Sequence, residues 1–350
     1  MCYIRKTREE VRNSPRKMMT LDDWRSVARD ARNAGMLELL LTGGEPLLWP
    51  DFWTLYEELV DMGFLVSINT NGSMIDGTAI RRFCQKPPQK VNITLYGACD
   101  ETYRRLCGTG GVFSKVDEAV RGLLDAGIPV KLNCSLTPEN AQDLDWIVDY
   151  AARCNTVLSV STYMYPPVRR DPSKIGVNER FTPEDSALYL MRYLRRNRGE
   201  ALYQQYLKNI LEGSPGPLGL ESDCIDPMDG RVRCRAGKAA FWVTWDGWLQ
   251  ACGMMLRPQI DLKQHPFPEA WTMLTEQTAA VTLSGLCEKC DNRHICHPCA
   301  AMAWAETGSF SGIPTYRCHA TRRMYEIACE DLKRNSFENY ERSCRGGKEE

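Results

Sequence analysis

Sixteen of the 350 residues are cysteine, and they are unevenly placed: six fall in residues 1–223 and ten in residues 224–350. Free cysteine is commonly just a small buried hydrophobe, but the C-terminal set is spaced as ligands are. Two residues separate Cys287 from Cys290, and two separate Cys296 from Cys299, so each pair can turn both thiolates toward one metal. Cys224, Cys234, Cys252 and Cys318 complete eight thiolates, enough for two four-thiolate sites. Structural zinc and 4Fe–4S clusters both take thiolate, and spacing leaves the two open. Cys84, Cys99, Cys107, Cys134, Cys154, Cys329 and Cys344 read as core or surface thiols.

A disulfide scaffold is usually a short secreted chain, and this chain is neither short nor opened by a signal peptide, because Met1 to Arg16 is basic with no apolar core. The expected location is cytoplasmic. Lys plus Arg is 44 and Asp plus Glu is 45, a balance that argues against a generally basic nucleic-acid binder. No apolar run approaches the ~18 residues of a membrane span. Neither nucleic acid nor membrane is an expected partner.

The first half alternates strands with helices of ten to fifteen residues. Helices are expected over Thr20–Ala34, Asp51–Met62, Asp76–Cys84, Phe113–Ala126 and Ala141–Arg153. Strands are expected over Met36–Leu41, Phe64–Asn69, Val91–Leu95, Pro129–Leu136 and Thr156–Met164, more continuously apolar than alternating. The fold class is therefore α/β with a parallel sheet, and a doubly wound sheet and a partial β/α barrel both fit. In either, chemistry sits at the carboxyl ends of the strands. Further helices are expected over Thr182–Asn197 and Tyr203–Leu211. A Gly/Pro-rich linker from Gly213 to Gly219 then precedes a stretch rich in Cys, Trp and Gly, giving domains 1–214 and 215–335 and a polar tail 336–350.

Two segments resemble one family. The series Cys234, Gly247 to Cys252, Cys287-x2-Cys290-x5-Cys296-x2-Cys299 and Cys318 is similar to the SPASM domain that follows a radical S-adenosylmethionine barrel and carries auxiliary iron–sulfur clusters. The last pair of clustered cysteines departs from the family's usual spacing of three, with only His297 and Pro298 between. Thr42-Gly43-Gly44-Glu45-Pro46-Leu47 resembles the GGEP motif that binds the amino group of S-adenosylmethionine, and Thr70-Asn71-Gly72 matches the usual third-strand ending. On its own Gly-Gly-Glu-Pro is a plain β–α turn; the thiolate array downstream changes that reading.

The resemblance implies a partial (β/α)6 TIM-like barrel followed by a small Cys-rich α+β SPASM domain. The family's radical cluster is held by Cys-x3-Cys-x2-Cys after the first strand. Cys2-Tyr3 is similar to the third cysteine and its aromatic neighbour, which puts the first strand and the other two ligands upstream of Met1. A single thiolate cannot hold that cluster, so the chain as written is expected not to cleave S-adenosylmethionine.

For the complete protein the resemblance implies that a 5′-deoxyadenosyl radical takes a hydrogen atom from the substrate, with flavodoxin or ferredoxin as electron donor. Gly43, Gly44, Glu45 and Pro46 are expected at the cofactor; Asn71, Thr94, Asn133 and Ser135, at strand ends, and Arg169, beyond the last strand, are expected at its ribose or carboxylate. One auxiliary cluster would use Cys234, Cys252 and Cys299, with Cys224 as fourth ligand, and the other Cys287, Cys290, Cys296 and Cys318. The substrate class implied is a peptide or protein, with maturation of a ribosomally made peptide favoured over sulfatase maturation by formylglycine formation. The rival from another class is a non-catalytic degenerate barrel with zinc knuckles.

Overall fold

The computed structural model describes residues 8–165, 180–213, 230–296 and 299–345. Five parallel strands form one sheet: β1 (Glu38–Leu41), β2 (Leu65–Thr70), β3 (Lys90–Thr94), β4 (Val130–Ser135) and β5 (Val157–Ser161). Their spatial order is β1-β2-β3-β4-β5. A doubly wound sheet reverses its order at a switch point; this one does not, and successive strands simply neighbour one another as in a barrel wall.

A short helix α1 (Arg8–Arg12) comes first, and α2 (Leu21–Asn33) leads into β1. The crossovers between strands are α3 (Phe52–Asp61), α4 (Gly77–Gln85), the pair α5 (Asp100–Cys107) and α6 (Phe113–Asp125), and α7 (Leu144–Arg153). The caps explain the starts. Thr20 and Asp23 form a reciprocal capping box on α2, and Asp76 accepts from the Thr78 and Ala79 amides at α4. Helix α5 was not anticipated. No usual capping side chain opens it; the residue at its N-cap is Cys99.

The strands alternate more than their composition suggested. Register places Val66, Ile68, Val91, Ile93, Leu132 and Cys134 on one face, all buried. Phe83, Tyr56, Leu59, Val120 and Leu123 come from the crossover helices and are buried too. The opposite face carries Ser67 and Asn69, Lys90, Asn92 and Thr94, Lys131, Asn133 and Ser135, then Ser159 and Ser161. Asn92 Nδ2 donates to Asn69 Oδ1 at 2.8 Å across that face. The period-two pattern is hidden in sequence because apolar Leu65 and Val157 also fall on the polar face, where both are exposed.

The chain divides into two compact units. The first combines residues 1–180 with 235–280, so it joins the parallel sheet to an antiparallel sheet of β6 (Trp242–Val243), β7 (Trp248–Gln250) and β8 (Gln259–Asp261), followed by α10 (Phe267–Ala279). Arg16 is the clasp between the two parts. Its guanidinium donates to both Asp261 oxygens at 2.7 and 2.6 Å, donates to the Asp246 carbonyl, and lies 4.2 Å from the Trp248 ring centroid. The Arg16 hydrogen bond is the chief reason the Asp261 carboxyl lies below its ordinary pKa.

The second unit combines residues 181–234 with 281–350 and holds α8 (Pro183–Arg198), α9 (Glu200–Glu212), α11 (Gly285–Glu288), α12 (Ala300–Thr307) and α13 (Thr315–Arg345). Tyr203 Oη donates to Asp331 at 2.9 Å, and Tyr316 Oη donates to the Phe181 carbonyl at 2.8 Å, tying α13 to α8 and α9. Helix α13 continues into the stretch expected as a polar tail. The boundary expected near residue 215 lies outside the described residues, as do Cys2, Arg169 and Cys224. Among the described residues no helix is long and apolar enough to cross a membrane.

Phe83 is fully buried, with its ring 5.4 Å from that of Tyr56. Phe83→Ala is expected to destabilise the first unit by about 3–5 kcal/mol, read as a lowered midpoint in urea unfolding followed by circular dichroism.

Candidate functional site

The carboxyl ends of the strands are held by buried polar side chains. Glu45 follows β1 and caps the one-turn helix Pro46–Leu48. Its Oε1 accepts from Thr70 Oγ1 at 2.8 Å and from the Leu47 amide at 3.3 Å, and its Oε2 accepts from the Asn71 amide at 2.8 Å. One carboxylate thus binds the end of β1 to the end of β2. Burial raises the Glu45 pKa, and these same hydrogen bonds oppose the rise. A carboxylate has about four lone-pair sites; three are used here, leaving room for one further donor such as an ammonium.

Gly43 and Gly44 precede Glu45 and are exposed, and a Cβ built on either meets nothing within 4 Å. Their backbone is open to a ligand, as a cofactor cradle requires. Pro46 is buried beneath the loop. Asn71 starts the next turn: its Oδ1 accepts from the Ser73 amide at 2.8 Å, and Gly72 takes φ +79°, which favours glycine.

The ends of β3 and β4 have their own brace. Asn140 is fully buried; its Nδ2 donates to the carbonyls of Tyr96 at 2.8 Å and Ser135 at 3.2 Å, and its Oδ1 accepts from the Thr137 amide. Asp143 accepts from the Ala98 amide at 3.0 Å and from Thr102 Oγ1 at 2.7 Å. Gly97 lies so close that a Cβ there would stand 2.3 Å from Thr102 Cγ2. Thr94, Asn133 and Ser135 are half-buried on the polar face at these ends, and Thr94 is in register with Asn133. The site residues expected at the strand ends therefore share one face and one end of the sheet. Thr70 belongs to the expected Thr70-Asn71-Gly72 strand ending, whereas Asn140 and Asp143 lie outside the expected site residues; short polar residues just after each apolar run were the available signal.

The second unit carries four of the expected thiols. Cys287 lies on α11, Cys290 caps the short 3-10 turn Asp291–His294, Cys296 follows it, and Cys318 is in the first turn of α13. Burial raises the Cys287 thiol pKa, and Cys296, Cys318 and Cys290 raise it further while Arg233 opposes. Cys318 is raised by burial, then by Cys296 and Cys290, with Arg322 opposing. The four thiols thus act on one another electrostatically, although among the described residues no three such side chains stand at metal-holding spacing. A four-thiol set suits a 4Fe–4S cluster or zinc. Of the other set, Cys234 and Cys299 belong to this unit and Cys252 to the first, where its sulfur accepts from the Met254 amide at 3.4 Å.

Comparisons with known proteins bear on the same features. Residues 1–151 match the Radical SAM superfamily. The AdoMet-dependent heme synthase of Methanosarcina barkeri is 22% identical over 85% of this chain and 86% of its own length. A probable GTP 3',8-cyclase of Methanococcus maripaludis is 23% identical over 67% of this chain and 75% of its own. Among solved structures, native anSMEcpe with bound AdoMet superposes with a TM-score of 0.64 at 18% identity, covering 93% of this chain and 92% of that one. Streptococcus suis SuiB bound to precursor peptide SuiA gives a TM-score of 0.63 at 16% identity, covering 89% and 71%. The Gly43-Gly44-Glu45 loop, at the end of a strand in a sequentially ordered parallel sheet, lies within the residues that match the Radical SAM superfamily.

Proposed function

We propose that this chain is a radical SAM enzyme that modifies a peptide or protein, with its C-terminal thiols holding auxiliary 4Fe–4S clusters in a SPASM-type arrangement. The observation that carries the reading is that Cys287, Cys290, Cys296 and Cys318 fall in one compact unit, where Cys296 and Cys290 raise the thiol pKa of both Cys287 and Cys318. The fold likeness to proteins solved with peptides, SuiB with SuiA and anSMEcpe with Cp18Cys peptide, supports the substrate class.

When bound, S-adenosylmethionine and its cluster supply a hydrogen-abstracting radical. The chain's own residues do the rest. Gly43 and Gly44 let the backbone approach the methionine end, and Glu45 offers its remaining lone pair to the ammonium while fixing the loop. Pro46 sets the loop's exit. Asn71, Thr94, Asn133 and Ser135 face the ribose and carboxylate, with Arg169 as a further carboxylate partner. Cys2 ligates the radical cluster. Cys224, Cys234, Cys252 and Cys299 would hold a second auxiliary cluster, and flavodoxin or ferredoxin supplies electrons in the cytoplasm. Sulfatase maturation is a second reading within the same chemistry, in keeping with the likeness to anSMEcpe.

Two outcomes check this account. Reduced enzyme carrying all three radical-cluster thiolates, given S-adenosylmethionine and a small peptide encoded beside its gene, is expected to yield 5′-deoxyadenosine and a peptide of altered mass. Turnover of a tetrapyrrole or of GTP, with the peptide untouched, would overturn the peptide assignment. Glu45→Gln keeps the acceptor for Thr70 but sets an amide donor against the Asn71 N–H. Removing that charge-assisted bond is expected to weaken S-adenosylmethionine binding roughly tenfold to a hundredfold, measured by equilibrium dialysis, and to lower urea stability by about 1–3 kcal/mol.

A further inference from the structure

The polar face of the parallel sheet carries two lysines that the reading above does not use. Lys131 is the second residue of β4, half-buried, and in register with Asn92 on β3. Lys90 opens β3 on the same face and is exposed. Among the described residues neither lysine forms an ion pair. The one acid on this face of the strands, Glu38, is on β1. β1 is three strands from β4, about 14 Å at ordinary strand spacing. Burial, and then the charge of Lys90, lower the Lys131 pKa. A half-buried ammonium with a like charge beside it and no carboxylate on the two neighbouring strands' polar face is an unbalanced arrangement, and an incoming anion would balance it.

The surroundings suit a planar anion. Asn92 is buried, and its amide is oriented by Asn69 Oδ1 at 2.8 Å. Asn133 lies two residues along β4 from Lys131, about 6.6 Å at ordinary strand rise, so the lysine stem can bring its ammonium toward the layer of Asn133 and Thr94. That layer is where S-adenosylmethionine is placed above, and Lys131 sits one step deeper in the same face. We propose that Lys131, between Asn92 and Asn133, is the subsite for a carboxylate of the substrate, such as an acidic side chain or the C-terminus of the peptide. The proposal rests on the reading that substrate enters this face, but its test does not need turnover.

The holoenzyme would be reductively methylated with 13C-formaldehyde, which keeps lysine charged, and the Lys131 signal assigned by its loss in Lys131→Arg. Citrate is the carboxylate probe. The Lys131 resonance is expected to shift saturably with citrate whether or not S-adenosylmethionine is present. Citrate affinity in unmethylated protein is expected to fall roughly tenfold in Lys131→Gln and to be kept in Lys131→Arg. A resonance that moves no more than those of the other lysines would overturn the proposal. So would one that responds to S-adenosylhomocysteine but not to methylthioadenosine, which would give Lys131 to the cofactor's own carboxylate. Once a peptide substrate is in hand, Lys131→Gln should raise KM far more than it lowers kcat; failure of every peptide would count against the functional reading and leave the citrate result standing.

Discussion

Each strand of the parallel sheet has to serve two environments. The row that includes Ile68, Val91, Ile93 and Leu132 is sealed beneath helices, where apolar burial is worth roughly 25 cal/mol per Å². The other row is Ser, Asn, Thr and Lys, which would cost free energy in a dry core and so marks a face meant to meet water or a ligand. That division fixes register, because a slip of one residue would turn Asn92 and Lys131 toward the apolar layer beneath the helices and Val91 and Leu132 onto the polar face. It also fixes where chemistry can occur: at the polar face, near the carboxyl ends.

The ends themselves are stiffened by polar side chains that are partly or fully buried. Glu45 spans β1 and β2, while Asn140 and Asp143 span β3 and β4. A loop fixed by several charge-assisted or buried hydrogen bonds presents its backbone in one arrangement, which is what recognition of a small cofactor through glycine amides and carbonyls requires. The Gly43-Gly44 backbone is open because it carries no side chains, and it is ordered because the residue after it is anchored three ways.

Most of this was legible in the sequence. Gly35, Asn71-Gly72, Gly127 and the capping pair Thr20 and Asp23 punctuate the chain where the elements begin and end. Helix α5 was not legible, since Cys99 gave no cap signal and the segment is only eight residues long. The two-faced character of the strands was obscured by Leu65 and Val157, whose exposure depends on neighbours far away in sequence. Likewise Glu45 reads as a free carboxylate in sequence. That Thr70 and Asn71 occupy much of it is a consequence of β1 pairing with β2, which no local pattern encodes. Spacing pairs Cys287 with Cys290 and Cys296 with Cys299, but which of them share a site with Cys318 depends on contacts distant in sequence.

The central proposal is that this chain carries both a strand-end cofactor site and a C-terminal iron–sulfur centre. Anaerobic reconstitution followed by counting iron, sulfide and zinc per chain tests it most directly. The account predicts iron matched by acid-labile sulfide, with a loss of about four of each in the Cys290→Ala, Cys296→Ala double variant. Stoichiometric zinc with negligible iron would contradict it, because the same thiols would then be a structural zinc site.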